Sequence, residues 1–264
     1  MVDLCTPTPS HRGLVEQAAA AGRQVICEKP LALTVADAEA MIASCAAAGV
    51  QLLVAHVVRY FAEYAAAQRY VAAGGVGAVV TQRFSRMAAR PLQGWFGDPE
   101  QSGGVLLDLM IHDLDIARWL AGDVRQVFAR QSGSLAEPAA ATTTQVILQH
   151  HSGAISQLTG VWGSPSSAFG TAFLIAGDDG LIEHRSTDHP PVRLDPPRTG
   201  GGIIPATPFT ENPYTTELRD LHAAITTGSA PRVTAADALA ALIIAEAAAA
   251  SIRTGLPVTL GGAA

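Results

Sequence analysis

Lysine is almost absent from this 264-residue chain: of 17 basic residues sixteen are arginine, and the one lysine is Lys29. Arginine stays charged in proteins, whereas lysine can be desolvated and have its pKa tuned, so a position that stays lysine in such a composition is a candidate for chemistry. Cysteine is scarce too. Cys5, Cys27 and Cys45 are an odd count with no C-x-x-C pair, which excludes a disulfide framework and places the chain in the cytoplasm with reduced thiols. Charged residues are 15% of the total, the net charge is -6 and the pI is near 5.7, so there is no basic face for nucleic acid or an anionic membrane. Long apolar runs are missing as well. The most apolar stretch, Leu239 to Ala250, is interrupted by Glu246 and falls short of the roughly 20 residues that span a bilayer. The chain does not open on a basic n-region and an apolar h-region.

What is present, at 48% hydrophobic residues, is enough to bury a core. Val2-Asp3-Leu4-Cys5 reads as a strand end running into Thr6-Pro7-Thr8-Pro9, with a helix start at Ser10. A helix from His11 to Ala21, a strand from Gln24 to Cys27, a helix opening at Thr34 with Asp37 three residues on, and a strand from Gln51 to Ala55 alternate as in a parallel sheet with crossover helices. Residues 1–57 are therefore α/β. After a helix over Ala62 to Ala73 the texture becomes β-rich: Ala78 to Ser85, Val124 to Gln131, Thr142 to His150, Ala154 to Val161 and Phe169 to Ile175 read as antiparallel strands. One helical stretch, Gly103 to Ala121, is inserted among them, and 186–213 reads as a long loop. Helices Pro213 to Thr227 and Thr234 to Thr254 close the chain. The expected architecture is α/β plus α+β: a partial doubly wound Rossmann unit (1–57), then a large, mostly antiparallel open sheet with helices on one face (58–264).

The ionisable groups that stand out are Lys29, in the loop after a parallel strand where ligands bind in open α/β sheets, and Asp108 with His112. Four residues apart on one helix, the carboxylate would lie beside the imidazole, fix its tautomer and favour its protonated form, as for a base and its orienter. A plain helix-surface hydrogen bond has the same spacing, and a metal set of Asp108, His112 and Asp115 is a third reading. Cys27 reads as a buried strand cysteine, and His150-His151 as a solvated turn. Trp95 walls a pocket or plugs a core.

These pieces together carry a resemblance: Thr6-Pro7 with His11, Glu28-Lys29-Pro30-Leu31-Ala32, His56-Val57-Val58-Arg59-Tyr60-Phe61, Ser102-Gly103-Gly104, Asp108-x-x-x-His112-Asp113-x-Asp115 and Tyr214-x-x-Glu217-Leu218. In this order they resemble the Gfo/Idh/MocA oxidoreductases, with the stretches at Val58-Arg59 and His112 most like the inositol dehydrogenase branch. The resemblance implies NAD- or NADP-dependent oxidation of a sugar, inositol or related polyol. It makes His112 the base, Lys29 the hydrogen-bond donor to the reacting oxygen, Asp108 the orienter of that pair, and Pro30 a cis proline that aims the lysine. Thr6, Pro7, His11, Glu28, Lys29, Pro30 and Arg59 would line the cofactor; Arg59, Trp95, Asp108 and His112 would meet substrate. It also implies a homo-oligomer, dimer or tetramer, assembled through the open sheet face.

One family element is missing from the sequence: no G-x-G-x-x-G turn, the motif that holds a dinucleotide pyrophosphate at a helix N-terminus, occurs in it. Two β-α-β units ahead of Val2 would amount to roughly 60 to 70 residues, and Met1 then reads as an internal start. The rival expectation is a non-catalytic remnant that binds carbohydrate or serves assembly.

Overall fold

Short apolar strands followed by helices long enough to cross back produce the first sheet. The computed structural model describes residues 1–91, 94–133, 141–188, 192–195, 202–203 and 211–261. In chain order it contains β1 (Val2–Leu4), α1 (His11–Ala20), β2 (Val25–Glu28), α2 (Val35–Ala47), β3 (Leu52–Ala55), α3 (Ala62–Ala72), β4 (Val79–Ala89), α4 (Pro99–Ser102), α5 (Ile111–Ala121), β5 (Val124–Ser132), β6 (Thr142–His150), β7 (Ile155–Gly163), β8 (Gly170–Gly177), β9 (Leu181–Arg185), β10 (Val192–Asp195), β11 (Gly202–Ile203), α6 (Pro213–Thr227), α7 (Ala235–Thr254) and β12 (Val258–Thr259). Strands β1, β2 and β3 are parallel in that order, with Leu4 opposite Cys27 and Cys27 opposite Val54. The two Thr-x-x-Asp starts behave as caps: the hydroxyls of Thr34 and Thr234 accept from the backbone N–H groups of Asp37 and Asp237.

The second sheet has nine strands in the order β11-β10-β9-β8-β4-β7-β6-β5-β12. Alternation sorts its two faces: in β6, Thr144, Val146, Leu148 and His150 are buried while Gln145, Ile147 and Gln149 are exposed. Phe84, Leu158, Trp162 and Phe173 point to the buried side and pack under α5 and α7.

The structure corrects several expectations. The sheet is mostly antiparallel, as expected, with one pair that the strand-by-strand reading did not foresee: β4 and β7 are parallel from Thr81↔Ile155 to Ala89↔Gly163. The stretch 186–213 is not a plain loop. It carries β10 and β11 at the sheet's edge, short strands without apolar periodicity, and the rest of it, apart from 186–188 and 211–213, lies outside the described residues. His150 is not solvated: it is 1% exposed, its Nδ1–H donates to the carbonyl of Gly122 at 2.7 Å and its Nε2 accepts from the Ser156 hydroxyl at 2.7 Å. Helices from the end of the chain also pack on the first sheet. Leu221 and Ala224 of α6 cover Ile26 and Leu53 on one face of the parallel sheet, and Ala238 and Leu242 of α7 join Cys27, Met41 and Val54 on the other. Helix α7 has 20 residues and is long and apolar enough to cross a membrane by length and composition. Its apolarity is used in packing, since Ala241, Ile244, Ala245 and Ala248 enter the core of the larger sheet while Ala238 and Leu242 enter that of the smaller.

Candidate active site

Parallel strands deliver their carboxyl ends to one edge, and the loops leaving β1, β2 and β3 carry Thr6-Pro7, Glu28-Lys29-Pro30 and His56. The first loop is held by Ser10, whose backbone N–H donates to the Pro7 carbonyl at 2.9 Å and whose hydroxyl lies 2.9 Å from Thr6 Oγ1. His11 is 1% exposed, with Nε2 2.9 Å from the carbonyl of Thr6 and Nδ1 3.2 Å from that of Leu31. It sits between the two loops, and its ring N–H ties one to the other. Glu28 accepts from the Lys29 backbone N–H at 3.0 Å, and burial raises its carboxyl above the ordinary range. The Lys29–Pro30 peptide is cis.

The other half of the site comes from residues 102–112. Gly103 sits at φ 73°, where a Cβ would lie 2.3 Å from the Leu107 side chain, so only glycine admits this entry. The expected single helix from Gly103 to Ala121 is broken: Val105–Leu109 form a π-helical turn, closed by Met110 N–H to the Val105 carbonyl at 2.9 Å, and α5 starts at Ile111. This changes the chemistry. In an α-helix residues four apart share a face, but the wider turn and the break at Met110 rotate Asp108 away from His112. Asp108 instead meets Lys29, whose Nζ lies 2.8 Å from the Asp108 carbonyl and 3.2 Å from Oδ1, with both side chains largely buried. Asp108 therefore holds the lysine, one half of the pair it was expected to orient. The Nδ1 of His112 is buried and has no hydrogen-bond partner among the described residues. Desolvation, then the charges of Lys29 and Arg86, hold the imidazole well below its ordinary pKa, opposite in direction to the stabilised imidazolium expected from sequence. The ring is neutral at physiological pH.

Two buried ion pairs flank His112. Asp113 takes Arg86 Nε at 2.9 Å and Nη2 at 2.8 Å. Asp115 takes Arg59 Nε at 2.8 Å and Nη2 at 2.6 Å, and Arg59 spends its Nη1 on the Arg232 carbonyl at 3.0 Å and on Asp237 while lying over Trp119. At 1% exposure the Arg59 guanidinium makes these contacts within the protein. Both oxygens of Asp115, one of the three groups in the metal reading, are engaged by this pair. Trp95 stacks on Phe96 at 4.0 Å, in a turn that runs into α4, and α4 packs against the Thr8–Ser10 turn. Cys27 is fully buried and its thiol is pushed up by desolvation, as befits a strand cysteine.

Sequence reasoning gave no role to His56, which is 1% exposed and whose ring stands edge to face against His112 at 6.2 Å. Its position just past the end of β3 matches that of Lys29 past β2, and was the available signal. It also passed over Glu217 on α6, 2% exposed, whose carboxyl is pushed up to about 8 by burial and by Glu28, Asp3 and Asp220.

Comparison with known proteins adds the following. Residues 1–56 match the family model for an oxidoreductase family with an NAD-binding Rossmann fold, and residues 64–183 match that for the GFO/IDH/MocA C-terminal domain. The chain is 31% identical to the 1,5-anhydro-D-fructose reductase of Ensifer adhaerens, over 97% of this chain and 80% of that one. It is 40% identical to the D-apiose dehydrogenase of Paraburkholderia graminis, over 59% of this chain and 42% of the relative, so that match spans less than half of the relative's length. An oxidoreductase from Agrobacterium radiobacter, solved with NAD+, L-tartaric acid and magnesium, superposes with a TM-score of 0.83 at 26% identity, covering 98% of this chain and 79% of that one.

Proposed function

This chain belongs to the Gfo/Idh/MocA oxidoreductases, and we propose that its strand-end site oxidises a hydroxyl of a sugar, inositol or related polyol with NAD or NADP. The observation that carries this reading is the meeting of Lys29 and Asp108, 79 positions apart, beside a neutral, half-buried His112. An ammonium has three donors; two of them are spent on Asp108, and the third is left for the reacting oxygen. Through it Lys29 steadies the developing alkoxide while His112, with a free lone pair, takes the hydroxyl proton. The bound nicotinamide supplies the hydride acceptor, so the C–H and O–H bonds of the alcohol break together into a carbonyl. The loops at Thr6-Pro7 and Glu28-Lys29 suit the nicotinamide end, as they leave neighbouring parallel strands at the edge that bears Lys29. For the pyrophosphate the sequence holds no G-x-G-x-x-G cradle.

The same reading places the protein in the cytoplasm as a homo-oligomer joined through the open sheet face, where Met87, Ile147 and Ile155 stand 44%, 45% and 44% exposed on adjoining strands. Sedimentation of a Met87→Glu, Ile147→Lys variant tests the assembly: it should shift to monomer.

The test of function is a titration of NAD+ and NADP+ into the chain, read by calorimetry, followed by a polyol and aldose panel with the absorbance of the reduced nicotinamide as readout. Turnover that vanishes in Lys29→Arg, with the fold intact, is the expected result. Normal turnover in that variant defeats the lysine's role. Polyol binding without any cofactor binding would identify a non-catalytic carbohydrate-binding unit instead.

A further inference from the structure

We propose that His56, backed by Asp115, is the positioning residue that sets the tautomer of His112. This rests on the reading of His112 as the base. The two rings stand 84° apart with centroids separated by 6.2 Å. Three ring nitrogens in this pair, both of His56 and Nδ1 of His112, are buried without a partner among the described residues. Buried polar atoms are satisfied as a rule, so orphans on both of two facing rings point to a hydrogen-bonded link between the rings. The carboxylate that sequence spacing offered as orienter, Asp108, is occupied by Lys29.

The direction of the link follows from the charges around His56. Asp115 of α5 lies 3.8 Å from His56 Nδ1, too far for a hydrogen bond and close enough for its charge to favour a proton there. The other groups that face the ring are Arg59 on its own turn, Lys29 from the loop after β2, Asp237 from α7 and His112 itself. Burial and the two cations outweigh the two carboxylates and keep the ring neutral. A neutral imidazole with its proton on Nδ1 presents Nε2 as an acceptor. His112 Nδ1–H donates toward that acceptor, across the gap between the rings, through one bound water. His112 Nε2 is then left with the lone pair, the state a base requires. Arg59, by clamping both oxygens of Asp115, fixes the position of the charge that favours the proton on His56 Nδ1.

The assignment is read directly by long-range proton–nitrogen spectra of the histidine rings, recorded on the full chain with no cofactor, so its failure is distinct from a failure of the oxidoreductase reading. Wild type should show His112 as a single Nδ1–H tautomer and His56 likewise. A His112 ring protonated on Nε2 in wild type overturns the proposal without any variant. In His56→Phe the His112 signals should become a mixture of tautomers, while His56→Gln, whose amide still accepts, should restore Nδ1–H. An unchanged single tautomer in a folded His56→Phe also overturns it. Should His56→Phe not fold, the wild-type spectrum and His56→Gln still decide. In turnover, His56→Phe should lower kcat by at least about 10-fold, part of the 10²- to 10⁴-fold that general base catalysis supplies, with KM little changed. A fall confined to KM contradicts the assignment.

Discussion

Glu217 makes the chain's stability depend on pH in a direction opposite to that of most carboxylates. Its side chain lies at 2% exposure where α6 crosses the parallel sheet, Oε1 has no partner among the described residues, and the nearby carboxylates of Glu28 and Asp3 oppose its ionisation. The carboxyl is pushed up from 4.5 to about 8, first by desolvation and then by those charges. A folded-state pKa above the unfolded one means that the folded chain holds the proton more tightly. The contribution is complete below about pH 4.5 and is lost steadily as pH rises toward 8, because the unfolded chain ionises freely over that window while the folded one resists. At about 1.4 kcal/mol per pH unit the window has a ceiling of roughly 5 kcal/mol. Rearrangement of side chains and entry of water leave part of that, on the order of 2 kcal/mol. Glu217→Gln keeps the shape and stays neutral at every pH. It should raise Tm at pH 8 by about 4–8 °C, at 2–4 °C per kcal/mol for a chain of this size, and leave Tm at pH 4.5 nearly unchanged. The assay is a pair of thermal melts at the two pH values. An equal shift at both, or a lower Tm for the variant at pH 8, refutes the argument.

Further predictions follow from the packing of the site. Gly160 on β7 faces Met110, and a Cβ there would lie 2.3 Å from the Met110 side chain; Gly160→Ala should cost about 1–3 kcal/mol in denaturant unfolding and disturb the π-helical turn that carries Asp108. Arg59→Met leaves Asp115 charged and unpaired in the core and should destabilise by about 3–5 kcal/mol, whereas a neutral shift would mean that Asp115 finds another partner. Thr234→Ala removes the capping box that starts α7 and should cost about 1 kcal/mol by the same measurement. Since His112 is held well below 6.5, its loss of base function on protonation should place the acid limb of kcat/KM below that value, and a limb at or above 6.5 would contradict the desolvated ring.

The alternation of apolar runs and caps in residues 1–57 was enough to predict a parallel sheet, since strand, turn and helix signals there are local and agree with one another. The caps at Thr34 and Thr234 were legible for the same reason. Lys29 was found by composition alone, and its place by the rule that ligands gather at strand ends. What sequence periodicity misread was always a non-local or one-residue matter. The parallel pairing of β4 with β7 depends on a partner 74 positions away, so no window contains it. A single extra residue per turn at 105–109 leaves the apolar pattern intact and yet rotates Asp108 from His112 to Lys29, which reverses the pKa argument built on their spacing. The charges of Arg59 and Arg86 look free in the sequence; burial opposite Asp115 and Asp113 turns them into structural clamps. Which side chains have the character for chemistry is written in residue identity, but which of them meet, and in what protonation state, is decided by burial and by long-range contact, because both depend on what the rest of the chain removes from water.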